Sequence, residues 1–302
     1  MTKHQKKQIK SSKNIQVQRK RVGVIVSLVI VVVIVLGFIG YKSWEMWNNS
    51  PERVAQRFIN AFSVYNAGEM EINSTESFWK KEGNYYASIS RALGVLADKI
   101  AASKGVSKAM LKPQLKIELP PIDQWKYSET STNRIFAYDG EATLTFPESP
   151  SLPNAKVDVH VSLKVTLCKD SGKWRVCQFN RYRKYADWTV YEFVEARMAA
   201  DTPHLEEMSC KNADESLKNY IDAYDIMVHD PAGDSNYAWV ISHIAKLKVS
   251  GNKALLEYGL YKVSSQDPTN PVLKWKYVDV KEHLTLCNED GVWYIKSIYF
   301  EE

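Results

Sequence analysis

VTLCKDSGKWRV, residues 165–176, returns in close paraphrase as LTLCNEDGVWYI, residues 284–295. Both spell Thr-Leu-Cys, a three-residue gap, then Gly-x-Trp-x-aliphatic, at an ungapped offset of 119 residues. The first copy ends VDVHVSLKVTL (157–167), in which apolar and mostly polar residues alternate strictly. That period of two predicts a strand with one packed face. Asp170-Ser171-Gly172 and Asn288-Glu289-Asp290-Gly291 predict tight hairpin turns, because glycine supplies the positive φ such turns need. Trp174 and Trp293 on the returning strands supply large apolar surfaces. The repeated words therefore predict duplication of a small α+β unit.

Working outward, Phe58-Ile59-Asn60-Ala61-Phe62 matches Tyr220-Ile221-Asp222-Ala223-Tyr224 at an offset of 162. Both sit in amphipathic patterns, Val54, Phe58, Ala61, Phe62 and Tyr65 in one, Leu217, Tyr220, Ile221 and Tyr224 in the other. A third helix is predicted from the 3-4-3-4 spacing of Tyr86, Ile89, Leu93, Leu96 and Ile100. Its stripe reads first as the face that lies on its own sheet, and second as a docking face for a partner helix. Further strands are predicted at Gln114–Leu119, Trp125–Ser131, Glu141–Phe146, His243–Val249, Ala254–Val263 and Val272–Leu286. Residues 183–211 read as a linker too apolar to be floppy, with a helix around Trp188, Tyr191, Val194 and Met198.

The 302 residues carry a formal charge of +5, but residues 1–21 alone hold eight Lys/Arg and no acid. The remaining 281 hold 32 basic and 35 acidic residues, so no nucleic acid is expected as a partner outside the tail. Val22–Tyr41, VGVIVSLVIVVVIVLGFIGY, is uncharged over twenty residues, enough to cross a bilayer core. Tyr41, Trp44 and Trp47 follow where interfacial aromatics are expected, rather than a cleavage site. The expectation is a basic cytoplasmic tail (1–21), one transmembrane helix (22–41) in the cell membrane, and extracytoplasmic domains at 50–182 and 212–302.

All four cysteines, Cys168, Cys177, Cys210 and Cys287, fall in the exported part, where disulfides persist. A two-residue turn would set Cys168 opposite Arg175 and Cys177 diagonally across on the same face. The geometry allows a Cys168–Cys177 bridge, with Cys210–Cys287 as its complement; buried free thiols are the alternative. The six histidines show no metal spacing, and no cofactor or metal is expected. No P-loop, Gly-x-Ser-x-Gly or dinucleotide fingerprint occurs. Asp222 with Tyr224, and Asp279, are the residues an acid–base pair would draw on, but no spacing places them together. Asn73-Ser74-Thr75 matches a glycosylation acceptor, a tripeptide common by chance.

An N-terminal amphipathic helix, a variable middle and a long hairpin ending in Gly-x-Trp-x-[Val/Ile] resembles the nuclear transport factor 2-like superfamily, over roughly 50–182 and 212–300. The resemblance implies cone-shaped α+β domains in which helices cover a curved sheet, with Phe58, Phe62, Tyr220 and Tyr224 as cone-lining residues. A basic tail, one span and tandem domains of this kind resembles the bitopic assembly subunits of conjugation and type IV secretion channels. That implies a non-enzymatic scaffold that binds other envelope proteins and oligomerises. One departure is that the Asn-Pro-x-Gly turn of the single-domain subunits is missing: Asn270-Pro271 continues Val-Leu-Lys. The alternative is a small-ligand or sensor protein using a cone as its pocket.

Overall fold

The computed structural model describes residues 30, 32–44, 46–105, 107, 115–146, 156–229, 239–264 and 274–301. Two compact units divide the chain at Arg53–Val54. In the first, residues 32–44 and 46–48 are helical, with Val33, Ile34, Leu36, Phe38 and Ile39 exposed. Arg53 lays its guanidinium 3.3 Å from the centre of the Trp47 ring. Among the described residues no helix is long and apolar enough to cross a membrane; residues 22–29 and 31 of the expected span lie outside them.

The second unit opens with helices α1 (Pro51–Phe62, which begins in the first unit), α2 (Ala67–Ile72) and α3 (Glu76–Lys104). Strands β1 (Lys116–Glu118), β2 (Lys126–Glu129), β3 (Asn133–Thr145), β4 (Lys156–Asp170) and β5 (Lys173–Arg181) follow. Then come α4 (Ala186–Ala199), α5 (Thr202–Glu207), α6 (Glu215–His229), β6 (Trp239–Ser250), β7 (Lys253–Ser264), β8 (Lys274–Glu289) and β9 (Val292–Glu301). The sheets are antiparallel, ordered β1-β3-β4-β5, with β2 also on β3, and β6-β7-β8-β9. They are curled, helix-covered half-barrels, the α+β architecture that the resemblance implies. The expected strand at Glu141–Phe146 is the end of a longer one that starts at Asn133.

The local likeness of the two hairpins goes beyond their sequence words. Ser171 and Gly172 have φ of 50° and 82°, Asp290 and Gly291 of 54° and 86°, the pair of left-handed residues of a type I′ hairpin. Each hairpin bulges at the same repeated place, between Thr166 and Leu167 and between Thr285 and Leu286. Bulges bend and twist a strand, which helps a sheet to curl over a helix. Val176 and Ile295, again 119 apart, each form a parallel bridge to an upstream serine, Ser74 and Ser209.

Those two serines are 135 residues apart, and that offset governs the helical half. Tyr65 and Ala200 end α1 and α4 at φ of 51° and 55°. Asn66 and Asp201 cap the next helices by accepting from Glu69 N (3.2 Å) and His204 N (3.1 Å). Ser74 Oγ donates to Met70 O and Ser209 Oγ to Leu205 O. The counterpart of α1 is therefore α4, with Phe58-Ile59-Asn60-Ala61 answered by Phe193-Val194-Glu195-Ala196. The match at 162 joined two helices of different rank, because an aromatic face at helical spacing is a shared solution rather than a homologous mark.

Residues 183–211, expected as a linker, hold helices α4 and α5. Every side chain from Trp188 to Ala199 is buried. One side of α4 lies on β6 and β9 of its own domain, the other on α3 and β4 of the first. A helix covered all round has no polar stripe to reveal its phase.

Candidate functional site: the mouths of the two domains

The interior of the first domain is filled by its own side chains. Phe58 and Phe62 meet Phe179 edge-on at 5.2 and 4.8 Å between ring centres, and Phe62 meets Tyr86 at 6.3 Å. Both phenylalanines expected to line a cone are packed core, worth roughly 1.5–3 kcal/mol each in buried surface.

At the mouth of that domain stand Tyr85 and Tyr86 from α3 and Arg181 from the end of β5. The Arg181 guanidinium lies 5.0 and 5.8 Å from the two ring centres. The second domain closes this mouth. Arg181 Nη1 bonds Glu195 Oε2, and its Nε stands 3.4 Å from Glu192 Oε1. Tyr85 OH donates to Glu195 Oε2 at 3.4 Å, and the hydroxyls of Tyr65 and Tyr191 share a 2.9 Å hydrogen bond. The His204 ring packs 5.3 Å from that of Tyr85, and Arg183 pairs with Glu207 at 3.7 Å.

Burial pushes the Glu192 carboxyl up, against the pull of Arg181, and pushes Glu195 well up. Burial thus pulls both acids towards the protonated form, while the Arg181 guanidinium pulls Glu192 back towards its charged form. His204 is depressed to about 4, by burial first and then by Arg181 and Arg183.

The second mouth is built at the same positions with different letters. Tyr220 takes the place of Tyr85 (offset 135), and Phe300 that of Arg181 (offset 119). Phe300 leans on Tyr220 at 5.7 Å, and Tyr220 stacks on Tyr224 at 6.1 Å. Phe300 remains 37% exposed, and its neighbour Tyr299, on the opposite face beside His283, 65%. Below them lies a buried polar cluster. Arg197 Nη1 donates to Glu282 Oε2 at 2.8 Å, and Tyr258 OH donates to the same oxygen at 3.0 Å. Tyr224 OH donates to the Arg197 carbonyl. Arg197 Nε and Nη2 and Glu282 Oε1 have no partner among the described residues.

Of the sequence candidates, Cys168 is bonded to Cys177 and Cys210 to Cys287. Cys168 faces Arg175 across the ladder, as a two-residue turn requires. The repeated cysteines 168 and 287 take unlike partners: Cys177 lies on the returning strand, whereas Cys210 follows the bridge segment, where the first copy has Thr75. Glu289 approaches Cys210 and Cys287 closely enough for a shared metal, but bonded sulfurs offer no thiolate to hold one.

Asp222 and Asp279 are exposed while Tyr224 points inward, so these three make no acid–base pair. His160 Nδ1 meets Asp187 at 3.1 Å and its Nε2 meets Glu141 at 3.7 Å, on a half-exposed surface where they tie β4 to the start of α4. Asn73 is buried, giving its amide to Glu69 O and accepting from Arg57, which excludes it as a glycan acceptor in the folded chain. Arg181, Glu192, Glu195, Arg197, His204 and Glu282 escaped sequence reasoning. The available signal was three charges inside the apolar run DWTVYEFVEARMAA.

No protein-family model matches the chain, and no curated protein does. A solved structure titled "Ntf2 like protein involved in plasmid conjugation" aligns with 83% of this chain and 97% of that chain, at 12% identity and a TM-score of 0.23. No residue role is carried over from it.

Proposed function

We propose that this chain is a single-pass membrane protein whose two extracytoplasmic domains bind other proteins without catalysing a reaction, as a scaffold in a secretion, conjugation or envelope complex. The anchor and its orientation rest on the uncharged stretch Val22–Tyr41 and the eight positive charges before it. The observation that carries the binding role is the contrast of mouths. The first domain is filled with its own rings and stopped by the second, while the second domain keeps Phe300 exposed at its mouth against the half-buried Tyr220. An exposed aromatic above a buried polar floor suits a protein contact.

Chemical crosslinking in the native membrane, followed by mass spectrometry of whatever is attached to residues 50–302, tests this. Recurrent capture of other envelope proteins is expected; a chain that captures none contradicts it. A second reading is supported by the unpartnered edge of Arg197: the second cone holds a small ligand. A stoichiometric small molecule in extracts of the denatured protein, lost on Tyr258→Phe, would favour that reading.

A further inference from the structure

Each long hairpin anchors one disulfide, but the two have different neighbours. Beside Cys168–Cys177 stand amide and carbonyl oxygens: Cys168 Sγ lies 3.4 Å from Asn133 Oδ1, and Cys177 Sγ 3.5 Å from Thr166 O. Beside Cys210–Cys287 stands a carboxylate, with Cys287 Sγ 3.6 Å from Glu289 Oε1. Among the described residues, these two sulfurs and a Glu289 oxygen are the one set of three Cys, His, Asp or Glu ligand atoms lying within 4.8 Å of one another.

Their convergence does not depend on the S–S bond. Cys210 N donates to Ile295 O at 2.8 Å and Ile295 N to Met208 O at 2.9 Å, which seats the segment after α5 on β9. Cys287 pairs with Tyr294 of that same strand, and Glu289 with Val292. Two residues apart on β8, Cys287 and Glu289 share a face. Lys211 N holds the Glu289 carboxylate by donating to Oε1 at 3.0 Å, and Lys211 Nζ stands 3.6 Å from Oε2. These bonds keep both cysteines and the acid in place when the bridge is opened.

Once opened, the site offers the donors that a borderline-soft cation takes. Two thiolates and a carboxylate are three of the four tetrahedral ligands of Zn2+, and water completes the set. At the usual Zn–S length of about 2.3 Å, two thiolates lie about 3.8 Å apart. Cysteines whose Cα atoms are 6.4 Å apart can reach that spacing by side-chain rotation. The two charges of zinc and the Lys211 ammonium balance the three anionic ligands. Cys210 is buried while Cys287 and Glu289 are half-buried, so one side is open to an entering ion.

We infer that reduction of Cys210–Cys287 uncovers a zinc site made of Cys210, Cys287 and Glu289, in which the metal takes over the clamp between the α5–α6 segment and β8. A dithiol supplies the two electrons and two protons, leaving as its own disulfide and the pair as thiols. Zn2+ then displaces two protons and forms two Zn–S bonds. The inference goes beyond the scaffold reading and does not rest on it.

The test uses the untagged full-length protein in detergent, reduced with a dithiol that is then removed without oxygen. Metal analysis counts bound Zn2+, competition with a chromophoric chelator gives its affinity, and Co2+ in its place reports thiolate ligands by charge-transfer absorption. One ion per chain is expected after reduction and none in the oxidised protein. The double variant Cys168→Ser, Cys177→Ser keeps the ion and the cobalt band, whereas Cys210→Ser loses both. Glu289→Gln weakens zinc on the order of a hundredfold, the upper end of what losing a partner behind a metal's ligands costs. Circular dichroism checks the fold of Cys210→Ser, and Glu289→Gln supplies a reading in a chain whose cysteines are all native. No zinc in the reduced protein, zinc that persists in Cys210→Ser, an affinity untouched by Glu289→Gln, or loss confined to the Cys168 and Cys177 variant overturns the inference.

Discussion

The two domains share turns, bulges, caps and bridge serines, yet differ at their mouths. In the first, a buried arginine is held by two acids from the neighbouring domain; in the second, phenylalanine occupies that position and meets water. What was kept is what a curled sheet under helices needs. What diverged is what decides whom the domain touches.

The comparison extends to the disulfides, where the largest effect is expected. Cys210–Cys287 spans 77 residues and Cys168–Cys177 spans 9. Loop-closure entropy gives about 4.5 kcal/mol for the longer loop and about 2.7 for the shorter. Replacing Cys210 and Cys287 by serine should lower the urea midpoint clearly more than the same change at Cys168 and Cys177. Equal losses would mean that the bridges do not act through the unfolded chain.

At the mouths, Arg181→Met strands Glu192 and Glu195 in a dry interface and should cost roughly 3–5 kcal/mol. Phe300→Ala, the matching change in the other copy, should cost about 1 kcal/mol, because much of that ring is already hydrated. Chemical denaturation of the two variants measures this; similar losses would erase the distinction between a closed and an open mouth.

The closed mouth also has a pH signature. His204 binds its proton near 6.5 when unfolded and about 4 when folded, so its contribution is full above 6.5 and is lost as pH falls from there to 4. That loss is on the order of 3 kcal/mol at most. Glu192 and Glu195 act with the opposite sign: their raised values favour the folded state at low pH, and the benefit disappears as pH rises through them. Stability–pH curves should flatten on the acid side in His204→Gln and on the alkaline side in Glu195→Gln. An NMR titration in which His204 changes near 6.5 would contradict the burial argument.

The hairpins were legible because their demands are local: a turn glycine with positive φ, alternation and a tryptophan. Helix α3 was legible because one of its faces remains exposed. The domain boundary was not, since α4 is buried from both sides and its apolar run carries no phase. The ionic closure of the first mouth was equally hidden. Arg181 ends β5 and Glu195 lies in another domain, and nothing in the spacing of 14 residues says that they meet. Phe62 and its counterpart Arg197 show the same limit, one packing the core and the other carrying a buried charge at an equivalent helical position.

The central claim is that the chain stops its first mouth itself and leaves the second for a partner protein. A benzoyl-phenylalanine photo-crosslinker at Phe300, with a control at the exposed Lys173 at the start of β5, tests this most directly in native membranes. The account predicts a discrete protein adduct from position 300, with a second copy or an envelope protein, and none from 173. The same background labelling at both sites would contradict it.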